Sequence, residues 1–250
     1  PRVPGGAPVT TVAIVQARMG STRLPGKVLA EIEGRPMLSR VLGRLGRART
    51  LDAVVVATST EPGDDPVAEL GRELRVPVFR GSEEDVLDRY AGAARQLAAD
   101  AVVRVTADCP LIDPQVVDRV VQRFRESGAD YASNTLKRTY PQGLDVEVFR
   151  REALEQAARE AREPWERAHV TPYLYHHPER FALVSVTHDR DLSRHRWTVD
   201  TREDLKLVRA LYRRADDPYA GWQELLRIAE SDPSLRAINA GVVQKALEEG

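Results

Sequence analysis

The sequence of 250 residues contains a single cysteine, Cys109, so an intramolecular disulfide is excluded and a reducing compartment suits the chain. It also lacks any apolar run that approaches the roughly 20 residues needed to span a membrane. Basic residues are not in excess, because the formal net charge is −1, and this argues against a general nucleic-acid-binding surface. Internal repeats and low-complexity linkers are missing as well. We therefore expect a cytoplasmic protein that acts on small molecules and binds neither membranes nor nucleic acids.

What the sequence does contain is the composition of an ordinary globular domain, with 42% hydrophobic and 30% charged residues. Residues 1–10 are rich in proline and glycine and lack the apolar core of a signal peptide, so we expect a flexible leader there. The remaining residues, 11–250, are predicted to form one domain.

Short Val-rich segments alternate with amphipathic ones, which predicts strands and helices in a parallel sheet with right-handed crossovers. The predicted strands are Val12–Ala17, Ala53–Thr58, Val76–Phe79, Ala101–Thr106, Leu144–Phe149, Phe181–Thr187 and Arg196–Val199. The predicted helices are Pro36–Arg49, Asp65–Arg75, Glu83–Ala99, Pro114–Ser127, Glu152–Glu163, Trp165–His176 and Arg202–Arg214. The change of rhythm after the fourth strand predicts an inserted antiparallel lobe at about 134–190.

A loop rich in cations and glycines follows the first predicted strand. Gly20 and Gly26 allow backbone N–H groups to approach an anion closely. Arg18 and Arg23 supply planar guanidinium groups for phosphate oxygens, and Lys27 supplies a point charge. In open α/β sheets ligands bind beyond the carboxyl ends of the strands, so this loop is predicted to bind a polyphosphate. A solvated basic turn is the alternative interpretation. In the phosphate-binding interpretation we expect Lys27 to be an exposed loop cation that contributes little to stability, so that the fold tolerates its loss.

Two aspartates come directly after predicted strands, where a Mg²⁺ ion would join a carboxylate to phosphate oxygens. Asp108 follows the fourth strand, and Asp200 follows Arg196–Val199. For Asp200 the alternative is an N-cap of the helix that begins at Arg202. Asp113, which precedes a proline, is predicted to be an N-cap.

Asp145 and Glu147 are two residues apart in a predicted strand and would therefore share one face of it. That face either points into a cleft, where the two carboxylates would hold a substrate's hydroxyls or a second metal ion, or is simply solvated.

Ser82 and Arg89 lie seven residues apart at the start of a predicted helix, with Ser82 as the expected N-cap, so both would face one side. An ion pair between Asp85 and Arg89 is the alternative role for this arginine.

Five stretches of the chain resemble, in the same order, the motifs of the cytidylyltransferases that activate 2-keto-3-deoxy sugar acids. The resemblance is closest to the branch of the spore coat polysaccharide biosynthesis protein SpsF. The stretches span residues 16–27, 107–114, 140–149, 169–173 and 196–201.

The resemblance implies a three-layer nucleotide-diphospho-sugar-transferase-like fold, with a doubly wound mixed sheet of about seven strands and residues 11–250 as the nucleotidyltransferase domain. It also implies transfer of CMP from CTP to an acidic acceptor with release of pyrophosphate, Mg²⁺ as cofactor and a homodimer. The implied catalytic residues are Arg18, Lys27, Asp108 and Asp200, with the two aspartates as metal ligands. The implied nucleotide-binding residues are Ala17, Arg18, Gly20, Ser21, Arg23, Lys27, Ser82 and Arg89. The implied acceptor-binding residues are Asp145, Glu147 and His169.

The identity of the acceptor is open at this point, between a nonulosonic-type sugar acid and a small phosphonate such as phosphonoformate. Val28 stands where the sialic acid branch has Asn, and Cys109 stands where the octonate branch has Glu, so neither of those substrates is favoured. The alternative functions are a glycosyltransferase of similar fold that consumes a sugar nucleotide and a non-catalytic nucleotide-binding partner protein.

Overall fold

The computed structural model describes residues 9–244, so positions 1–8 of the predicted leader lie outside the described residues. The strands are β1 (Thr11–Gln16), β2 (Glu31–Ile32), β3 (Arg35–Pro36), β4 (Ala53–Ser59), β5 (Val78–Gly81), β6 (Ala101–Thr106), β7 (Tyr131–Ser133), β8 (Glu147–Arg150) and β9 (Leu183–Ser185). The longer helices are α1 (Met37–Leu45), α2 (Asp65–Glu73), α3 (Val86–Gln96), α4 (Pro114–Ser127), α5 (Arg151–Glu160), α8 (Arg202–Arg214) and α9 (Trp222–Ser231). The shorter ones are α6 (Pro164–His169), α7 (Pro172–His176) and α10 (Pro233–Ala237). No helix in 9–244 is long and apolar enough to cross a membrane.

Seven strands form one sheet in the order β5-β4-β1-β6-β8-β7-β9, and β2 and β3 form a separate hairpin. The strands β5, β4, β1 and β6 are parallel, whereas β8 runs antiparallel to both of its neighbours. This topology confirms the predicted doubly wound mixed sheet. The segment 134–190 supplies the antiparallel strand β8 and the strand β9 to this sheet and also carries α5, α6 and α7.

Strand β1 lies near the middle of the sheet and is buried on both faces, as its unbroken apolar sequence predicts. Ala13 and Val15 face a core that α1, α4, α8 and α9 complete, and Val12 and Ile14 face a second core with α3, α5 and α7. Helices therefore cover both faces of the sheet, which gives the three layers expected from the sequence. The carboxyl ends of β1 and β6 lie side by side, because Gln16 is in register with Thr106.

Two predicted strands differ from the structure because side chains or loops take the backbone hydrogen bonds. The segment Arg196–Val199 forms no strand. It contributes a single β-bridge, between Arg196 and Gln142, and Trp197 N donates to Gln142 O at 2.7 Å. The next backbone hydrogen bond leads to a loop, because Val199 N donates to Asp108 O at 2.8 Å. The predicted strand Leu144–Phe149 begins only at Glu147. Before that point the buried Asn134 amide accepts from Val146 N and donates to Leu144 O.

The predicted helix Trp165–His176 is broken in the middle. Val170 has φ 74° and ψ −56°, and Thr171 N donates to His169 O at 2.9 Å, so the three residues form a γ-turn with positive φ. A β-branched residue in this conformation costs roughly 1–3 kcal/mol. The turn separates α6 from α7 and redirects the chain at His169.

Candidate active site

The strand ends of β1 and β6 and the segment after Trp197 meet around one ammonium group. Lys27 Nζ donates to Asp108 Oδ2 at 2.8 Å, to Asp200 Oδ1 at 2.8 Å and to Val199 O at 2.9 Å. The structure thus brings together three of the residues that the sequence singled out, although they lie far apart in the chain.

The loop after β1 reaches this position through a compact fold of its own backbone. Gly26 adopts φ 70°, a left-handed conformation that glycine reaches without strain, and its N–H donates to Met19 O at 3.0 Å. A single turn of 3-10 helix, Lys27–Leu29, follows immediately. The glycine therefore turns the chain back so that the Lys27 side chain points towards the strand ends.

Asp108 is held by neighbours from its own strand end. Thr106 Oγ1 donates to Asp108 Oδ1 at 2.5 Å, and Lys27 occupies the other oxygen. Burial alone raises the pKa of the Asp108 carboxyl, but the Lys27 ammonium and these hydrogen bonds outweigh it and hold the pKa below its usual value. Asp108 is therefore a carboxylate at neutral pH.

The pKa of the adjacent Cys109 thiol is raised well above its usual value, first by burial and then by the carboxylates of Asp108 and Asp145. A thiol in this environment stays protonated, and we assign it no nucleophilic role.

Asp200 is not the N-cap of the following helix. Thr201 fills that position and forms a capping box with Asp204. The Asp200 carboxylate is thereby available to Lys27, to Arg196 Nη2 at 2.6 Å and to Arg23 Nη2 at 3.1 Å. Asp113, in contrast, caps α4 by accepting from Gln115 N and Val116 N, as predicted.

The expectation that Lys27 is an exposed loop cation is wrong, because its side chain is only 12% exposed. Burial lowers the pKa of Lys27, but the carboxylates of Asp108 and Asp200 outweigh burial and raise it above its usual value. The ammonium is therefore fully charged at neutral pH, and the ion pairs that it makes contribute to the stability of the fold.

The two carboxylates have the donor chemistry for a divalent cation. Within residues 9–244 no group of three or more His, Cys, Asp or Glu side chains is arranged to hold a metal. Mg²⁺ in nucleotide sites usually takes only one or two carboxylates, with phosphate oxygens and water completing its shell. Asp108 and Asp200 already bind the same cationic group, so they converge closely enough to fit this ligand set.

The remaining residues of the loop lie at different distances from this centre. Arg23 reaches Asp200, as described above. Arg18 is exposed, and within the described part of the chain it makes no hydrogen bond or ion pair. Ser21 Oγ accepts a hydrogen bond from Leu24 N at 3.3 Å. Gly20 is loosely packed, since a Cβ added there would lie 3.7 Å from the Glu83 carboxylate. Ala17 is buried and its N–H donates to Ala57 O at 3.1 Å, so it anchors the base of the loop.

Arg89 is almost completely buried beside the end of β5. Its Nη1 donates to Ser82 O at 2.6 Å, and its Nε has no hydrogen-bond partner among the described residues. Burial lowers the pKa of Arg89, and the nearby Arg18 lowers it further. The predicted Asp85–Arg89 ion pair is wrong, because the Asp85 carboxylate instead binds Arg167 at 2.6 Å.

The expected N-cap Ser82 is also wrong. Asp85 caps α3, and Ser82 Oγ accepts from Asp85 N one turn earlier. Ser82 is exposed at the surface next to the buried Arg89 side chain.

Asp145 and Glu147 do not share a strand face, since Asp145 precedes β8. Asp145 forms a two-bond pair with Arg138, at 2.5 and 2.9 Å. Glu147 is buried and accepts from Arg104 Nη1 at 2.7 Å, so the interpretation as a solvated face is wrong for it.

Two hydroxyls complete the environment of Glu147. Tyr131 OH donates to Glu147 Oε1 at 3.1 Å, and Thr171 Oγ1 donates to the same oxygen at 3.0 Å. His169 lies half-buried at the γ-turn, two residues before Thr171. The turn therefore places the chain around His169 beside the Arg104–Glu147 pair.

Three arginines of this site were not singled out from the sequence. Arg104 and Arg138 are the partners of Glu147 and Asp145, and Arg196 connects Asp200 to Asp204. Arg104 could have been identified from the sequence, because a charged residue within the apolar strand β6 needs a buried partner. Arg138 and Arg196 could not have been identified in this way, since the conformation of a loop brings each of them to its partner.

Comparison with known proteins agrees with this geometry. A cytidylyltransferase family model matches residues 12–230. The spore coat polysaccharide biosynthesis protein SpsF of Bacillus subtilis is 33% identical over 228 residues, which cover 88% of this chain and 94% of that protein. The solved structure of a cytidylyltransferase from Leptospira borgpetersenii superimposes with a TM-score of 0.89 at 33% identity and covers 95% of this chain and all of that one.

A more distant structure, that of CMP:2-keto-3-deoxy-manno-octonic acid synthetase complexed with CTP, shares the fold. Its TM-score is 0.63 at 22% identity, and the match covers 82% of this chain and 98% of that chain. Because the family model matches residues 12–230, a range that contains Lys27, Asp108 and Asp200, the chain belongs to the cytidylyltransferase family.

Proposed function

We propose that this protein transfers CMP from CTP to an acidic acceptor and releases pyrophosphate, with Mg²⁺ as cofactor. The observation that carries the proposal is the convergence of Asp108 and Asp200 on the Lys27 ammonium, at 2.8 Å each. A cation and two carboxylates beside the carboxyl ends of the central strands β1 and β6 suit a nucleoside triphosphate with its metal. The CTP bound to the synthetase of the same fold supports the choice of nucleotide.

The loop after β1 binds the triphosphate in this proposal. Arg18 is exposed and without an ion pair in the described region, so its guanidinium is available to phosphate oxygens. Arg23, Ser21 and Lys27 line the same loop and stabilise the charge that develops on the departing pyrophosphate. Ala17 and Gly20 present backbone to the nucleotide.

Asp108 and Asp200 hold the magnesium ion. When bound, Mg²⁺ neutralises the triphosphate and orients it for in-line attack. The depressed pKa of Asp108 suits this role, because the group must be ionised to bind a cation. Arg196 and Arg23 keep the Asp200 carboxylate in place through ion pairs at 2.6 and 3.1 Å.

Arg89 and Ser82 bind the cytidine end of the nucleotide. The buried guanidinium of Arg89 has an Nε–H that lacks a partner among the described residues, so a ligand oxygen would satisfy a buried donor. Ser82 is exposed next to this arginine, since its carbonyl oxygen accepts from Arg89 Nη1 at 2.6 Å.

In this proposal the acceptor binds next to Asp145, Glu147 and His169, on the opposite side of the site from Arg89 and Ser82. Each acid there is paired with an arginine, so the region offers donors and acceptors together and suits a hydroxylated sugar acid. An acceptor that is already anionic, such as a carboxylate or phosphonate, needs no strong general base. A sugar hydroxyl would lose its proton to Asp200 or to solvent.

Pyrophosphate release tests the proposal directly. Purified protein is incubated with MgCTP or MgUTP and with 3-deoxy-manno-octulosonate, a nonulosonic acid or phosphonoformate. We expect release with CTP and one of these acceptors, and a preference for CTP over UTP of about 10- to 100-fold in kcat/KM, because a buried group that is left unpaired costs roughly 1–3 kcal/mol.

The alternatives give different products. A glycosyltransferase would release a nucleoside diphosphate from a sugar nucleotide and no pyrophosphate from CTP. A non-catalytic partner would bind CTP without turnover on any acceptor. Equal turnover of UTP and CTP would contradict the cytidylyl assignment. The proposed homodimer is tested separately by light scattering after size-exclusion chromatography.

A further inference from the structure

One buried carboxylate near the triphosphate-binding loop has no part in the chemistry described above. Asp64, in the short turn after β4, is only 4% exposed. Its oxygens accept hydrogen bonds from Met19 and Ser59, in two other segments of the chain. A buried acid is costly unless such partners satisfy it, so this residue has a specific task in the fold.

Three donors converge on Asp64. Met19 N–H donates to Oδ1 at 2.6 Å, and Ser59 donates to Oδ2 through its hydroxyl at 2.5 Å and through its N–H at 3.3 Å. Both oxygens are thus used as acceptors. An asparagine could keep its oxygen on Met19 N–H and donate from its NH₂ group to the Ser59 hydroxyl, whereas an alanine removes the acceptor of the Met19 peptide.

Met19 is the point at which the triphosphate-binding loop is fixed. Its N–H binds Asp64, while its carbonyl oxygen accepts from Gly26 N at 3.0 Å. Gly26 in turn directs Lys27 to the strand ends. Arg18 and Gly20 flank Met19, so the peptide that Asp64 holds lies between two of the residues assigned to the nucleotide.

Electrostatics alone would not favour an acid at this position. A carboxylate beneath an anion-binding loop repels the triphosphate, and the effect grows as the group is buried. The carboxylate is therefore explained by the geometry that it imposes on the loop and not by attraction to the ligand.

We propose that Asp64 is a positioning residue, which holds the Met19 peptide so that the loop presents its cations to the triphosphate of CTP. This inference rests on the proposed function, because it assumes that the loop binds a triphosphate. It predicts that loss of Asp64 weakens binding of the phosphates and leaves binding of the nucleoside unchanged.

The experiment compares Asp64→Ala with Asp65→Ala as the matched control. Asp65 is the next residue, and its side chain is 51% exposed and forms an ion pair with Arg80. The Kd values of CTP and of cytidine, which has no phosphate, are measured by calorimetry for each variant, and thermal unfolding confirms the fold. For Asp64→Ala we expect CTP binding to weaken by about 10-fold or more and cytidine binding to stay within about 2-fold, since small displacements of positioning groups have large effects. Asp65→Ala should change neither.

The other outcomes contradict the proposal. Unchanged CTP binding in Asp64→Ala, or equal weakening of CTP and cytidine, overturns the positioning role while the proposed function stands. A wild-type protein that binds no CTP overturns the proposed function and this inference with it. If Asp64→Ala does not fold, Asp64→Glu, which keeps the charge but moves it by one methylene, is expected to show the same selective loss. If neither variant folds, the role is purely structural and the proposal is wrong.

Discussion

Replacing Lys27 by methionine removes the cation from between Asp108 and Asp200 while keeping most of its apolar stem. Asp200 retains Arg196 and Arg23, whereas Asp108 retains only the Thr106 hydroxyl and the weak Cys109 thiol contact among the groups described. The change therefore leaves one carboxylate without an ion-pair partner. We expect the free energy of unfolding to fall by about 2 kcal/mol, the range for a hydrogen bond to a charged group.

In a chain of this size, a loss of that magnitude lowers the Tm by roughly 4–8 °C. Pyrophosphate release should fall by about 10²-fold or more, or roughly 3 kcal/mol, because a charge that stabilises the leaving group is gone. The exposed Lys206, on the outer face of α8, provides the control, since Lys206→Met should change neither quantity.

The stability difference should depend on pH in a defined direction. The pKa of Asp108 is lowered in the folded state, so its contribution is present above the usual value of 3.8 and is lost as the pH falls through the folded pKa. The pKa of Lys27 is raised, so its contribution is present below 10.5 and is lost only as the pH rises through the folded pKa. The wild type and Lys27→Met should therefore differ most between about pH 5 and 10. Equal Tm and equal activity at pH 7 would refute the assignment of Lys27 to the centre of the site.

Three further predictions follow from the geometry. Asp108→Asn and Asp200→Asn should each abolish most pyrophosphate release at moderate Mg²⁺, and the double variant should lose little more; multiplicative losses would exclude a shared ion. Cys109 should react with a thiol reagent at pH 8 only after unfolding, because it is buried and its pKa is raised; rapid labelling of the native protein would contradict this. Gly143→Ala should lower the Tm far more than Gly128→Ala, although both glycines have positive φ. A Cβ at Gly143 would lie 2.6 Å from Thr198 N, whereas a Cβ at Gly128 meets nothing within 4 Å; equal Tm changes would contradict this steric argument.

The parallel half of the fold was predictable because local sequence patterns determine its strands and helices. An apolar run long enough for a strand, followed by an amphipathic helix, recurs through β6, and the predicted bounds Ala101–Thr106 and Pro114–Ser127 match the structure. Strands β2 and β3 are only two residues long and gave no periodic signal. The helices α9 and α10 lie beyond the last motif and were not predicted.

The antiparallel half was harder to predict because tertiary contacts override the local pattern. The alternation in Leu144–Phe149 is real, but the Asn134 amide takes the backbone hydrogen bonds that the first part of a strand would need. The break at Val170 contradicts every local preference, since a β-branched residue avoids positive φ. A departure of this kind is decided by the packing of the whole domain.

For the candidate site, the sequence identified the residues but not their relations. Strand-end position correctly selected Asp108, which follows β6, whereas Asp200 was selected by a predicted strand that the structure does not contain. That Lys27 would bind both was not predictable, since its side chain reaches them only after Gly26 turns the loop. The same applies to Asp64, whose partner Met19 lies 45 residues away. The roles assigned to all of these residues remain predictions for the experiments above.

The distance in sequence between the groups that meet at Lys27 has a consequence for how activity appears during synthesis. Lys27 and Asp200 are separated by 173 residues, and all nine strands between residues 9 and 244 lie before Asp200. A growing chain can therefore complete its sheet while the second carboxylate is still missing. Loop closure over such a separation is entropically costly and late. Nucleotide binding at this site is therefore expected only after the segment that carries Asp200 has packed against the finished sheet.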